Sequence, residues 1–106
     1  MENQQQIQII SDKIDKIKVD LQTIGPMRPG SINEQFKDPK EKKGSYHQLN
    51  YTHKMKTHTD YIRKANLEMT REEVSEYQRF KELTEHWITL SIELSKLKLK
   101  VRHSKI

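Results

Sequence analysis

Apolar residues recur at spacings of three and four along the first quarter of the chain, and the pattern stops at Gly25-Pro26. The residues that set it are Ile7, Ile10, Ile14, Ile17, Leu21 and Ile24. A narrow apolar stripe of this kind is typical of a helix that packs along one or two other helices. It predicts a helix over about residues 5–24, because Gly25 accepts a left-handed cap and Pro26 cannot continue the helical hydrogen bonds.

A second stripe with the same spacing lies in the C-terminal third of the chain. Its members are Phe80, Leu83, Trp87, Leu90, Leu94, Leu97 and Val101, preceded by Val74 and Tyr77. Thr70 and Glu73 have the spacing of a capping box, in which the two side chains bind exposed amides of the first helical turn. The pattern therefore predicts a helix over about residues 71–101 and a basic tail over residues 102–106.

Between the predicted helices the apolar period changes to that of strands. Residues 25–31 contain Pro29-Gly30 and predict a fixed loop. Ile32, Glu34 and Phe36 then alternate as on one side of a short strand, and a charged loop follows over residues 38–44.

Two further segments predict a hairpin. Residues 46–53 and 57–64 are rich in Tyr, Thr and Ile, and Lys54-Met55-Lys56 would form the turn between them. A three-residue turn usually contains Gly, and none is present here, so the register stays open. The β segment of about residues 32–64 is therefore either a hairpin or a three-stranded antiparallel sheet.

These elements predict an α+β fold in one domain, residues 1–106, with the two helices packed as a coiled-coil-like pair and the sheet at one end. Because the second helix is the longer one, we expect part of its stripe to be left for another molecule, either a second copy or a larger protein partner. The predicted partner interface comprises Ile14, Leu21, Trp87, Leu90, Leu94 and Leu97.

Composition supports the expectation of a partner. Only 32% of the 106 residues are hydrophobic, which is low for a small chain that must build its own core. The absence of Cys removes disulfides and thiolate metal sites. With no basic leader and no apolar run of about 18 residues, we expect a soluble cytoplasmic protein without a membrane partner.

The net charge of +5 is concentrated in the middle of the chain, where residues 26–69 hold nine basic and five acidic side chains. Exposed aromatics among cations can stack bases while the cations neutralise phosphates. The predicted nucleic-acid-binding residues are Lys37, Lys40, Lys42, Lys43, Lys54, Lys56, Tyr46 and Tyr51, with Tyr61 beside them. The alternative is that these Tyr side chains fill the small core. The basic residues near the C terminus suit either a polyanion or the negative end of a helix dipole.

The sequence offers little chemistry for catalysis. A hairpin could bring His53 opposite His58, and two imidazoles could bind a transition metal, but ordinary hairpin histidines are the simpler interpretation. Glu82 and His86 have the spacing of a surface pair on a helix. No catalytic triad order or Gly-rich phosphate loop is present in the sequence. We therefore expect no enzymatic activity, no cofactor, no metal and no small-molecule substrate.

The order of motifs resembles a family of small prokaryotic proteins of unknown function. The motifs are Gly25-Pro26, Pro29-Gly30-Ser31-Ile32, Gly44-Ser45-Tyr46, Leu49 with Tyr51, Lys56-Thr57, Tyr61-Ile62 and the Tyr77 to Leu83 segment. The resemblance spans about residues 10–97 and implies a helix, sheet, helix fold, no known enzymatic activity and an accessory role near mobile elements. Members carry a Cys-rich knuckle where this chain has Phe36 to Gly44, so a structural zinc site is not expected. His58 and Asp60 stand where relatives place Arg. The resemblance therefore gives less support to phosphate binding at these positions.

The resulting hypothesis is a non-catalytic accessory protein, associated with a mobile genetic element. It would dock on a larger DNA-processing enzyme, a polymerase or recombinase, and contribute nucleic-acid binding through the basic β segment, with DNA favoured. The alternative is a purely structural coiled-coil homodimer, or an interaction subunit, that makes no contact with nucleic acid.

Overall fold

The computed structural model describes residues 2–104 of the chain. The elements are α1 (Glu2–Leu21), β1 (Ser31–Asp38), β2 (Lys43–His53), β3 (Lys56–Ile62), a 3₁₀ turn (Lys64–Asn66) and α2 (Leu67–Ser104). The three strands form one antiparallel sheet in the order β1-β2-β3. The predicted α+β architecture is thus confirmed, with three strands rather than two. Within the described residues, neither helix is long and apolar enough to cross a membrane.

The chain divides into two compact units. The helical unit comprises the chain up to Ile24 together with the part of α2 from Arg79 onward, and the sheet unit comprises Gly25–Gln78. α2 thus contributes residues to both units. The assignment of residues 1–106 to one domain stays a prediction.

The core of the helical unit is formed by residues of the two apolar stripes that the sequence pattern predicted. Ile10, Ile14, Ile17 and Leu90 are buried together. Leu21, Leu83, Trp87, Leu94 and Leu97 pack against them and are partly buried. Helical spacing places these side chains on one face of each helix, so packing the two faces together removes them from water. The coiled-coil character of this pairing stays a prediction.

The structure corrects the expected end of the first helix. α1 stops at Leu21, and Gly25 does not adopt the left-handed conformation of a cap. The last turn is instead closed by Thr23, whose amide and hydroxyl both donate to the carbonyl of Asp20, at 3.0 and 2.6 Å. The Arg79 guanidinium reaches the same carbonyl at 3.4 Å and the Thr23 hydroxyl at 2.6 Å. A helix end whose carbonyls are satisfied in this way needs no glycine cap.

The predicted start of the second helix is also wrong. α2 begins at Leu67, so Thr70 lies inside the helix rather than at its cap. Thr70 is buried, and its hydroxyl donates to the carbonyl of Asn66, four residues earlier, at 2.8 Å. This back-bonding is the alternative open to Thr in a helix, and the sequence pattern of a capping box does not distinguish the two. At the other end α2 continues through Arg102 to Ser104, so only residues 105 and 106 of the predicted tail lie outside the described residues.

The expectation that the longer helix leaves part of its stripe for another molecule stays a prediction. The stripe from Leu83 to Leu97 packs against the α1 cluster. The first portion of α2, Leu67 to Gln78, belongs to the sheet unit. There Val74 and Tyr77 are half-buried. This first portion of α2 is therefore partly covered within the sheet unit.

The turn between β2 and β3 is tighter than expected. His53 pairs with Lys56, so Lys54 and Met55 alone form the turn. Both have positive φ, 52° and 65°. This is the combination that a type I′ turn requires, and it matches the right-handed twist of the strands. The predicted three-residue turn is therefore corrected to two residues, and the arms become Lys43–His53 and Lys56–Ile62.

Gly30 fixes the entry of the chain into the sheet. Its φ is 118°, and a Cβ placed on it would lie 2.4 Å from the carbonyl oxygen of Asn50 and 2.9 Å from Cβ of Tyr51. No side chain fits so close a backbone approach. The loop that the sequence predicted around Pro29-Gly30 therefore lies directly against β2.

Candidate nucleic-acid interface

Alternation of side chains gives the sheet two faces of different character. One, the covered face, contains Leu49, which has no exposed surface, and Ile62, which is 8% exposed. The register places Ile32 opposite Leu49 and Ile62 opposite His47, so these residues share that face. The opposite one, the open face, is defined by Asn33, Gln35, Tyr46, Gln48, Asn50, Thr59 and Tyr61.

The covered face is held by a cluster around Arg28. The Arg28 guanidinium donates to the Asp60 carboxylate at 2.7 Å and lies 4.9 Å from the centre of the Tyr51 ring. The Tyr51 ring in turn stacks on His58, with ring centres 4.9 Å apart and planes 21° apart. The Arg28 amide also donates to the carbonyl of Glu73 at 3.0 Å. Arg28 therefore ties the loop after α1 to both the sheet and the first part of α2.

The open face presents an uncharged polar surface with an aromatic pair. Tyr46 and Tyr61 lie diagonally across β2 and β3, with ring centres 6.3 Å apart and planes tilted by 35°. Tyr61 is 65% exposed. Beside this pair the Thr59 hydroxyl donates to the side-chain oxygen of Asn50 at 2.8 Å, which orients the Asn50 amide. Amide and hydroxyl groups offer both donors and acceptors to a ligand lying on the sheet.

Lysines cluster at both ends of the sheet rather than in one patch. Lys40 and Lys42 lie in the turn between β1 and β2, and Lys54 lies in the turn between β2 and β3. These turns are at opposite ends of β2, whose 11 residues span about 35 Å. Since this exceeds the Debye length of roughly 8 Å at physiological salt, the two lysine clusters act on a ligand separately.

The two ends also differ in how their charge is balanced. At the β1–β2 end the Lys43 ammonium lies 3.2 Å from the Glu41 carboxylate, and Asp38 is close in sequence. At the β2–β3 end Lys54 and Lys56 are exposed, and no acid stands among residues 53–59. The second cluster therefore offers the less compensated positive charge.

The structure separates the predicted nucleic-acid-binding residues. Tyr46 belongs to the open face, and Lys37 lies on the same side of the sheet at the border of that face, near the β1–β2 turn. Tyr51, five residues after Tyr46, falls on the covered face, where it contacts Arg28 and His58. Tyr51 is therefore a packing residue. This agrees with the alternative prediction, in which Tyr side chains fill the small core. The remaining lysines of the predicted set lie at the strand ends and turns: Lys40, Lys42, Lys43, Lys54 and Lys56.

The predicted partner-interface residues lie within the chain's own helical core. Ile14 and Leu90 are 6% and 5% exposed. The other members pack against that core: Leu21, Trp87, Leu94 and Leu97. The indole of Trp87 also lies 5.5 Å below the Lys18 ammonium. A role for these six residues in binding another molecule stays a prediction.

The possible histidine pair does not form. His53 is opposite Lys56, whereas His58 is opposite Tyr51. The register that would bring the two imidazoles together would require a longer turn than the two residues observed. His47 lies opposite Glu34, with 3.7 Å between its Nε2 and a carboxylate oxygen. Within the described residues, no three His or acidic side chains converge in a way that could hold a metal ion.

Sequence reasoning missed the polar members of the open face. Asn33, Gln35 and Gln48 were not singled out, because an isolated amide in a strand carries no signal of its own. The signal becomes visible only with the register, which places Asn33 opposite Gln48 and Gln48 opposite Tyr61. Alternation from Tyr46 through Gln48 and Asn50 would have identified the same face once the strand was assigned.

Comparisons with known proteins add no relative: no family model, no curated protein and no solved structure matches the chain. The resemblance to the family of small prokaryotic proteins stays a prediction.

Proposed function

We propose that the protein is a non-catalytic binding protein that holds single-stranded nucleic acid on the open face of its sheet. The observation that carries the proposal is the Tyr46–Tyr61 pair, set among uncharged amides and hydroxyls and flanked at both ends of the sheet by lysine-bearing turns. Exposed rings stack on bases, whereas lysines at the ends neutralise phosphates. Stacking requires aromatic side chains and neutralisation requires cationic ones, and this sheet carries both kinds.

A single strand suits this surface better than a duplex. Bases in a single strand can turn outward and stack on aromatic side chains, as they do on the sheets of common RNA-binding domains. A duplex keeps its bases stacked and is read mainly by a helix or a two-stranded ribbon inserted into the major groove. The open face is a three-stranded surface with rings lying on it, so it favours accessible bases.

The amides define what kind of recognition the face could provide. Gln48 lies beside Tyr61, and Asn33 lies beside Gln48, so donors and acceptors extend across all three strands. Amide side chains pair with the edges of bases, with Asn and Gln suited to adenine. The two tyrosine rings would stack on any base and so supply affinity without regard to sequence. The amides would add a modest preference for particular bases.

In the cell, the proposed role is that of an accessory subunit rather than an independent enzyme. The motif order that resembles proteins near mobile elements supports an assignment to a DNA-processing assembly in the cytoplasm, with DNA as the favoured ligand. The larger partner would be a polymerase or recombinase of such an element. The sheet would then present single-stranded DNA to that enzyme.

The test is a titration of fluorescently labelled single-stranded oligonucleotides, DNA and RNA, at about 50 and 200 mM salt. Replacing Tyr61 by Ala should weaken binding by about 5- to 150-fold, since one base–ring stack contributes roughly 1–3 kcal/mol. The matched control is Tyr61→Phe, which keeps the ring and should retain most of the affinity. Equal affinity for the Ala and Phe variants would contradict a stacking role for this side chain.

The same titration separates the lysines from the rings. The double variant Lys54→Glu with Lys56→Glu should weaken binding and flatten its dependence on salt, because fewer counterions are released. Tyr61→Ala should leave that dependence unchanged. A wild-type protein that binds neither DNA nor RNA at the lower salt concentration would refute the proposal.

A further inference from the structure

α2 carries a second apolar stripe that is turned away from α1. Its aliphatic members are Ile88, Ile92 and Leu99, which are 60%, 52% and 55% exposed. At 100° per residue they lie roughly a third of a turn from the stripe that packs on α1. We call this surface the outer stripe and define it by Thr84, Ile88, Ser91, Ile92, Ser95 and Leu99.

The outer stripe forms a groove as well as a line of apolar side chains. Trp87, which is partly buried against the helical core, also forms one wall of this groove. Ile88, Ile92 and the small residues Ser91 and Ser95 line the rest. Small side chains between larger ones let a second helix approach closely, and three exposed aliphatic residues on one helix face indicate an interaction surface.

Charges on one flank of the outer stripe favour a second copy of α2 as its occupant, whereas Lys98 and Arg102 lie on the other flank. Glu82 and Glu85 lie before its centre, and Lys96 and Lys100 lie after it, all on the same flank of the helix. The pairs are nearly symmetric about residue 91, since Glu85 and Lys96 are five or six residues from it and Glu82 and Lys100 are nine. A second α2 running antiparallel across a two-fold axis at this point would bring each acid close to a base. A parallel two-fold pair would instead place the charged flanks of the two copies on opposite sides of the interface, so these charges would not meet.

The apolar residues follow the same symmetry. Ile88 and Ile92 are placed about residue 90, so the two-fold axis puts Ile88 of one copy beside Ile92 of the other, with Ser91 close to the axis. Such an interface is isologous, because the same patch serves both copies. Within residues 2–104, none of the four flanking charges takes part in an ion pair, so all four are available to a second copy.

We propose that the outer stripe is a homodimer interface, in which two copies of α2 pack antiparallel about Ser91 and join Glu85 of each copy to Lys96 of the other. The dimer is formed by residues other than those of the open face, and it goes beyond the nucleic-acid proposal. It is tested without nucleic acid, so its failure and the failure of that proposal are distinguishable.

The first experiment is sedimentation equilibrium of the full chain over a range of protein concentrations. The wild-type protein should be a dimer. Ile88→Asp with Ile92→Asp should raise the dissociation constant by more than about 30-fold, because the substitutions place charge at the centre of the interface. The matched control is Val19→Asp, at an equally exposed apolar residue of α1; this variant should stay dimeric.

Circular dichroism establishes that each variant keeps its helices. A wild-type protein that is monomeric at every concentration overturns the proposal, as does a folded Ile88→Asp, Ile92→Asp variant that stays dimeric.

A charge exchange tests the antiparallel orientation. Glu85→Lys should weaken the dimer, because the introduced ammonium of one copy would then face Lys96 of the other. Adding Lys96→Glu to the same chain should restore it, since the exchanged charges again attract each other. In a parallel two-fold dimer the charged flanks lie on opposite sides of the interface, so residue 85 of one copy would not face residue 96 of the other, and the second substitution would have nothing to rescue. Absence of rescue in a folded double variant therefore overturns the antiparallel arrangement.

Discussion

Three residues of the sheet unit adopt a backbone conformation that favours glycine or asparagine. Lys42 has a φ of 55°, and the two residues of the β2–β3 turn, Lys54 and Met55, have φ values of 52° and 65°. A residue with a Cβ in this region costs roughly 1 kcal/mol or more. The turn matches the twist of its strands, and Lys54 lies where the proposed ligand needs positive charge.

Met55 provides a test of that backbone cost. Its side chain is 97% exposed, so replacement by Gly removes almost no packing. Met55→Gly should raise the free energy of unfolding by about 0.5–1 kcal/mol, since Gly accepts positive φ without steric cost but loses more entropy on folding. Urea denaturation measures the change. Met55→Ala keeps the Cβ and should give no such gain; an equal gain for both variants would contradict the explanation.

At the scale of the elements, the packed stripes decide the stability of the helical unit. Leu90 lies in one buried cluster with Ile10, Ile14 and Ile17. Every member of that cluster is an aliphatic residue at helical spacing, and none offers a polar group that would need a partner. The cluster therefore holds α1 on α2 by apolar burial and close packing.

Truncation of Leu90 should be costly. Leu90→Ala removes a side chain that is only 5% exposed and should lower the free energy of unfolding by about 2–5 kcal/mol, through lost burial and the cavity left behind. Val19→Ala, at a residue that is 59% exposed on α1, should cost less than about 1 kcal/mol. Thermal unfolding followed by circular dichroism at 222 nm gives both values. Similar losses in the two variants would mean that the cluster is not the core of the unit.

The sequence predicted the elements better than their ends. Stripes at spacings of three and four identified both helices, because burial imposes that period on any packed helix. The ends depend on single hydrogen bonds that have no periodic signal. Thr70 could cap a helix or bond back to Asn66, and only the register of the whole helix distinguishes the two. Likewise α1 ends through Thr23 and Arg79, which lie 56 residues apart in the chain.

The candidate site was only partly predictable for a related reason. Composition identified lysines and tyrosines in the middle of the chain, but strand alternation then assigned Tyr46 and Tyr51 to opposite faces. The lysines separated because the two turns of a three-stranded sheet lie at opposite ends of the middle strand. Both results follow from the register, which the sequence left open at the glycine-free turn.

In the whole molecule, the two proposed binding surfaces lie on different elements. The open face of the sheet offers rings and amides to a nucleic acid, and the outer stripe of α2 offers an apolar surface to a second copy. A dimer would carry two open faces, and a strand that reached both would bind more tightly than either face alone permits. The surfaces share no residue, so each can be removed by substitution while the other is retained.

The position of nucleic acid on the open face is best tested by the NMR spectrum of the side-chain amides during titration with a single-stranded oligonucleotide. We expect the NH₂ signals of Asn33, Gln35, Gln48 and Asn50 to shift together. Those of Gln8 and Gln22, exposed residues of the helical unit, should stay in place and serve as an internal control. Shifts confined to the helical unit, or no shifts at a saturating concentration of oligonucleotide, would contradict binding at the open face.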